Sequence, residues 1–329
     1  MTTPGIARSP LWRPLVGLPV AAALAGIGYS ALFVPHALPL PPAIEAERRE
    51  LDSPAGRLSY YVAGRGAPLL LVHSVNAAAS AYEVRPVFSH FQRSRRVYAL
   101  DLPGFGFSER SARAYTPRLF TDALLAVLEL IAAECGGAPA DALALSLGGE
   151  FLARAALERP DRLRSLALVS PTAFDEGEDF YGAPGSVRGL PPLRHLYGFP
   201  LWGRAFFDAL NSRAGQRYFL AKTFGSSAAI DRGLLEYDYL TAHQPGAQHA
   251  PFAFISGGLF SADIDRVYEA LEQPVWLAHG ARGDFGLVRD TRNIAGRGNW
   301  TIQRFETGML PHFEQPEAFM SAYEAFLKR

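Results

Sequence analysis

Cysteine is nearly missing from this chain: its 329 residues contain one, Cys135. It cannot close an internal disulfide and has no cysteine partner at metal-ligand spacing, so it reads as a small buried filler. Lysine is almost as scarce, with Lys222 and Lys328 the only two, and the remaining positive charge is arginine, a compositional bias that carries no function. A charge excess is lacking too, since 32 basic residues face 32 acidic ones. Without a Lys/Arg-rich tract, nothing supplies the field that nucleic-acid binding draws on, and no nucleic-acid partner is expected. No internal repeat is found, and low complexity is confined to one proline-rich stretch.

What is present begins with a long apolar run. Behind a tail of residues 1–14 stands "LVGLPVAAALAGIGYSALFV", residues 15–34, uncharged and preceded by Arg8 and Arg13. That length suffices to cross a bilayer as a helix. A cleaved signal peptide is the rival, because Ala23-Leu24-Ala25 resembles a small-residue cleavage site. The apolar run continues past that site, which favours an uncleaved single-pass anchor and a membrane location. Arg8 and Arg13 would keep the N-terminus cytoplasmic and the globular part on the non-cytoplasmic side, although Arg48 and Arg49 weaken the asymmetry. "PHALPLPPA", within residues 35–44, reads as a semi-rigid extended spacer.

Beyond the spacer, apolar runs of strand length alternate with helical patterns. Strands are predicted at 58–62, 69–73, 97–101, 142–145, 165–170, 274–279 and 300–305, with helices at 82–91, 117–133, 147–158 and from Pro316. The alternation implies an α/β fold, a mostly parallel sheet covered by helices on both faces. From residue 171 to 272 it stops, and an aromatic-rich helical stretch takes over. This is expected to be a helical lid inserted between strands of a core formed by residues 45–170 and 273–329.

At one predicted strand-to-helix junction stands "LALSLGGEF", with Ser146 at the turn. In a G-x-S-x-G elbow the serine occupies a strained turn, and the positions two away must be small so that strand and helix pass closely. Ala144 and Gly148 meet that need, with Ala144 standing where the pattern has glycine. A serine here lies at a helix N-terminus, where the backbone N–H of Leu147 can face a developing oxyanion. The "GFG" of residues 104–106 is not a dinucleotide fingerprint, because Glu109 stands where the third glycine belongs. Glu150, one helical turn after Ser146, reads as a hydrogen-bonded structural carboxylate.

With these motifs, and with "LLLVHSVNAAASAYEVRPVF", "VYALDLPGFGFSER" and "ALERPDRLRSLALVSPTAF", the chain resembles the α/β-hydrolase family over about residues 56–329. The resemblance implies a second oxyanion donor after "LLLVH", the N–H of Val75. Where the family has His-Gly this chain has His73-Ser74, and His73 is expected to be structural. It also implies an acid in the turn "GARGDFGLV". Asp284 is the only carboxylate there, one residue beyond the family's position, which Gly283 occupies; Asp175 is a less favoured substitute. The base should lie on the final loop, "TGMLPHFEQPE", in the chain order nucleophile, acid, histidine. Relatives often end Gly-His-hydrophobic-Pro-His-x-Glu-x-Pro. Laid on that pattern, Met309 takes the base's place and His312 the second histidine's, and a thioether cannot accept the serine proton. Either the loop is rebuilt to bring His312 to Ser146, or the triad lacks its base.

The function expected is a membrane-anchored serine hydrolase that acts on an apolar ester or other acyl substrate through Ser146, Asp284 and His312. It needs no cofactor and no metal. Two alternatives stand beside it: a catalytically degenerate protein of the same fold with a binding or scaffolding role, suggested by the departures at Ser74, Ala144, Gly283 and Met309, and acyl transfer to an acceptor other than water.

Overall fold

In the computed structural model, residues 13–174 and 177–329 are described. The tail expected over 1–14 and the substitute acid Asp175 therefore fall wholly or mostly outside the described residues. The elements follow in the order α1 (Arg13–Phe33), β1 (Glu47–Ser53), β2 (Gly56–Ala63), β3 (Pro68–Val72), α2 (Arg85–Phe91), β4 (Arg96–Asp101), α3 (Pro117–Glu134), β5 (Ala140–Leu145), α4 (Gly148–Glu158) and β6 (Leu163–Val169). A helical insertion comes next: α5 (Pro191–Tyr197), α6 (Gly203–Leu210), α7 (Arg213–Phe224), α8 (Arg232–Ala242), α9 (His249–Ile255) and α10 (Ile264–Glu269). The sheet then resumes with β7 (Val275–Gly280) and β8 (Trp300–Phe305), followed by α11 (Pro311–Glu314) and α12 (Pro316–Leu327).

The strands form one sheet in the order β1-β2-β4-β3-β5-β6-β7-β8. β2 is antiparallel to both neighbours, and every pairing from β4 to β8 is parallel. Side chains alternate between faces along each strand. Leu70, Val72, Ala142, Ala144, Leu166 and Leu168 pack with α3 and α4. Their neighbours Leu69, Leu71, Leu143, Leu145, Ala167 and Val169 pack with α2 and α12 on the other face. This two-sided burial is why the central strands read as continuous apolar runs. β1 escaped sequence reading because "ERRELDS" is a largely exposed edge strand with no apolar face.

The N-terminal expectation is corrected. Among the described residues no helix is long and apolar enough to cross a membrane. This overturns the expected single-pass membrane location and leaves the anchor and the membrane partner without support. The described end of α1 is instead held to the insertion by polar contacts: buried Ser30 donates to Asp208 of α6 at 2.6 Å, and His36 Nε2 lies 2.9 Å from the same carboxylate. Nor does the proline-rich stretch hang free. Leu38 N–H donates to His243 O at 3.2 Å, Tyr237 Oη donates to Pro41 O at 2.8 Å, and Ala43 N–H donates to Tyr61 Oη at 2.9 Å.

Candidate active site

Ser146 stands between β5 and α4 with φ of +48°. A non-glycine residue in this region costs about 1–3 kcal/mol and persists where the surroundings enforce it. Here they do: Ser146 N–H donates to Val169 O at 2.9 Å, and its carbonyl accepts from Gly149 N–H at 2.9 Å. Gly148 is required by close approach, because a Cβ there would come within 2.6 Å of His73 O. The strand-turn-helix thus presses the serine turn against the loop after β3. Leu147 and Val75 are both buried beside it, and neither N–H donates to another described group.

His73 is fully buried. Its Nε2 accepts from Leu102 N–H at 2.9 Å, so Nδ1 carries the proton and donates to Ser74 O at 2.5 Å. Burial lowers its pKa to about 4, and the ring is a neutral brace for the loop. Ser74, where the family has glycine, bonds downward to a residue that sequence reading passed over: Glu83 accepts from Ser74 N–H at 2.7 Å, Ser74 Oγ at 2.9 Å and Asn76 Nδ2 at 2.9 Å. Nothing in "SAYEVRP" marks Glu83 as more than a first-turn acid. Glu150 is likewise buried, accepting from Ser261 N–H at 2.8 Å, Thr172 Oγ1 at 2.5 Å and Arg188 at 3.2 Å. Burial raises its pKa, and its bonds tie α4 to the insertion.

The other expected triad members are turned elsewhere. Asp284 sits on the turn after β7 with its side chain 59 % exposed, paired with the Lys222 ammonium. Gly283 has φ of +102°, and a Cβ on it would lie 2.6 Å from Lys222 O. The acid turn therefore needs glycine at 283 because the last turn of α7 rests on it. His312 is fully buried at the start of α11, packed against Phe313 and Phe319. Its Nε2 is 2.7 Å from Glu83 O. A carbonyl can only accept, so Nε2 bears the proton, and the lone pair lies on Nδ1, which is buried and finds no hydrogen-bond partner among the described residues. Burial lowers this pKa to about 4 as well.

Met309, on the base loop, is tied to the end of β6 and to α7. Its carbonyl accepts from Ser170 Oγ at 2.8 Å, and its N–H donates to Thr223 O of α7 at 2.9 Å. Ser170, at the end of β6, also has positive φ, +46°, and it follows Val169, the acceptor for Ser146 N–H. The structure thus gathers Ser146, Leu147, Val75 and His73 at the ends of β3 and β5, with Met309 arriving over β6. Among the described residues no hydrogen bond joins any two of Ser146, Asp284 and His312, so the expected triad is not assembled as the chain is folded here. No group of three or more His, Cys, Asp or Glu arranged to hold a metal is found among the described residues.

Comparison with known proteins agrees with this fold. Residues 67–253 match the family described as alpha/beta hydrolase fold. The chain is 33% identical over 158 residues to the 2-hydroxymuconate semialdehyde hydrolase of Pseudomonas sp. (strain CF600), covering 46% of this chain and 54% of that protein. It spans about half the length of the curated relatives it matches. Among solved structures, a meta-cleavage product hydrolase from Pseudomonas fluorescens IP01 superposes with a TM-score of 0.64 at 18% identity, covering 85% of this chain and 97% of that one. A membrane phospholipase A superposes with a TM-score of 0.64 at 19% identity, covering 97% of this chain and 93% of that one. The family match spans more than half of the chain and coincides with the strand order and the strained serine elbow: this protein belongs to the α/β-hydrolase fold family.

Proposed function

We propose that this protein is a serine hydrolase that cleaves a small-molecule ester or related acyl substrate with Ser146 as nucleophile. The observation that carries the reading is the strained elbow. A serine held at φ of +48° at a helix N-terminus, with a glycine two residues on to admit the His73 loop, is costly to maintain and is suited to presenting a hydroxyl. In this reading Ser146 Oγ adds to the substrate carbonyl carbon. The oxyanion that forms is held by the N–H groups of Leu147 and Val75, the leaving group departs with a proton, and water releases the acyl group by the reverse sequence. The helical insertion serves as the lid over this site, and its aromatic residues favour an apolar acyl group.

The base sets the speed. A triad of Ser146, Asp284 and His312 belongs to a rearranged state, in which His312 leaves the Glu83 carbonyl and Asp284 leaves Lys222. In the arrangement described above, an oxyanion hole and substrate binding still give about 10³–10⁴-fold acceleration over water, so the resting enzyme is slow. A second reading, a binding or scaffolding protein on the same fold, is favoured by one observation: His312 spends its proton on Glu83 O, while the position that the resemblance assigns to the imidazole holds Met309.

Fluorophosphonate labelling of the purified protein separates these readings. Slow labelling that disappears in Ser146→Ala supports the hydrolase. Labelling that also disappears in a folded His312→Ala supports the rearranged triad, and a wild-type serine that never labels leaves the binding protein.

A further inference from the structure

The loop that offers Val75 N–H is fastened on both sides to one acidic side chain. Ser74, immediately before Val75, gives Glu83 its N–H at 2.7 Å and its hydroxyl at 2.9 Å, and Asn76, immediately after, gives Nδ2 at 2.9 Å. Asn76 in turn accepts Ala78 N–H at 2.7 Å, which prevents the loop from swinging out. We propose that Glu83 is a positioning residue that aims the Val75 N–H at the oxyanion by holding Ser74 and Asn76 together from beneath the loop. The inference rests on Ser146 being the nucleophile. It also explains why serine is accepted at position 74, where the added side chain is used as a second donor.

The surroundings make the attachment sensitive to protonation. Glu83 is 4 % exposed, and no cation bonds its carboxylate among the described residues. From α8 it faces the buried Asp238, whose pKa is driven well up by burial first and then by the Glu83 charge, so Asp238 keeps its proton and stays neutral. From β4, Asp101 accepts Ala81 N–H of the same turn at 2.9 Å. From β3 the ring of His73 is neutral, from α11 His312 donates to the Glu83 carbonyl, and on α2 Arg85 lies over the Tyr82 ring, 4.4 Å from its centre. Burial raises the Glu83 pKa to about 7, opposed by the three donors. An ionised carboxylate accepts all three. Once protonated it must donate one bond, which the Ser74 hydroxyl can take by reversing its own, and the bonds from Ser74 N–H and Asn76 Nδ2 lose the charge that strengthened them, so the loop is held less firmly.

The test is the rate at which a fluorophosphonate modifies Ser146 in the full chain, measured across pH. Wild type should show a rise in rate with an inflection near pH 7, about the Glu83 value. Glu83→Gln turns an amide NH₂ toward a donor, and should slow modification by about tenfold at pH 8 and erase the inflection. A role confined to packing would lower stability without moving the profile. If circular dichroism shows that Glu83→Gln does not fold, Asn76→Ala removes one donor at the half-buried rim and should shift the inflection upward. A folded Glu83→Gln with the wild-type rate and profile, or an Asn76→Ala profile that does not move, overturns this inference and leaves Ser146 as nucleophile. A wild-type Ser146 that never labels overturns both.

Discussion

At the C-terminal edge of the sheet, the half built by β3, β5 and α4 directs its groups at the turn holding Ser146, whereas the half built by β7, β8 and α11 directs its groups away. The first half is local. Strand, tight turn and helix are consecutive in sequence, and one glycine contact joins them to the neighbouring loop. The second half depends on packing against α7, which lies far away in the chain. There, Gly283 and Met309 take their positions from the backbone of Lys222 and Thr223, and the acidic and basic side chains expected to act are left facing solvent and core. A serine elbow can thus be fully built while the groups expected to partner it, set by a separate contact, are turned elsewhere.

Five changes would break or sharpen that contrast. Ser146→Ala should reduce fluorophosphonate labelling to background, the largest effect expected, because no other residue takes over the attack. Persistent labelling would move the site away from β5. Met309→His should raise the labelling rate by between about tenfold and about a hundredfold, since it puts an imidazole on the segment that Ser170 binds. An unchanged rate would show that this segment does not approach the serine. His312→Ala should cost about 2–4 kcal/mol in urea unfolding, from the emptied ring site and the lost bond to Glu83 O. Labelling in this variant should fall only about tenfold, through the disturbed support of Glu83. A fall to background in a folded variant would instead establish the rearranged triad.

The fourth change concerns stability against pH. His73 and His312 have folded pKa values near 4, below the unfolded 6.5. The unfolded chain therefore binds their protons first, and stability rises with pH between about 4 and 6.5. Glu83 acts oppositely. Its folded pKa of about 7 lies above the unfolded 4.5, so the native state keeps the proton longer and stability falls as pH rises through that window. Chemical denaturation of Glu83→Gln should show a steeper gain in stability from pH 4.5 to 7 than wild type; equal slopes would remove Glu83 from the balance. Asp284→Asn should do least. An exposed partner of Lys222 contributes little, so neither the melting temperature nor the labelling rate should change measurably, and a large loss of labelling would draw Asp284 into the site.

The layered fold was legible because buried parallel strands read as apolar runs, and the elbow was legible because "LALSLGGEF" concentrates the small residues a tight turn needs. Distant packing was not legible. Glu83 stands at the start of a helix with nothing in the sequence to single it out, and only its donors, Ser74 and Asn76, reveal it. Gly283 read as a one-residue slip of the acid; its reason is the carbonyl of Lys222, far earlier in the chain, which follows no pattern a single sequence displays. The apolar stretch at 15–34 met the length criterion for a span, but length said nothing of Ser30 and His36 converging on Asp208.

Position 308 repeats the relation seen at 283: a Cβ on Gly308 would lie 2.5 Å from Phe224 Cα, and one on Gly225 would lie 2.7 Å from Gly283 N. The last turn of α7 is therefore a shared bearing surface for two separate segments, with bare backbone on each side. Mechanically, the acid turn and the base loop have no play of their own against the insertion. A displacement of α7 would therefore reach the acid turn and the base loop together, through backbone contacts rather than through side chains.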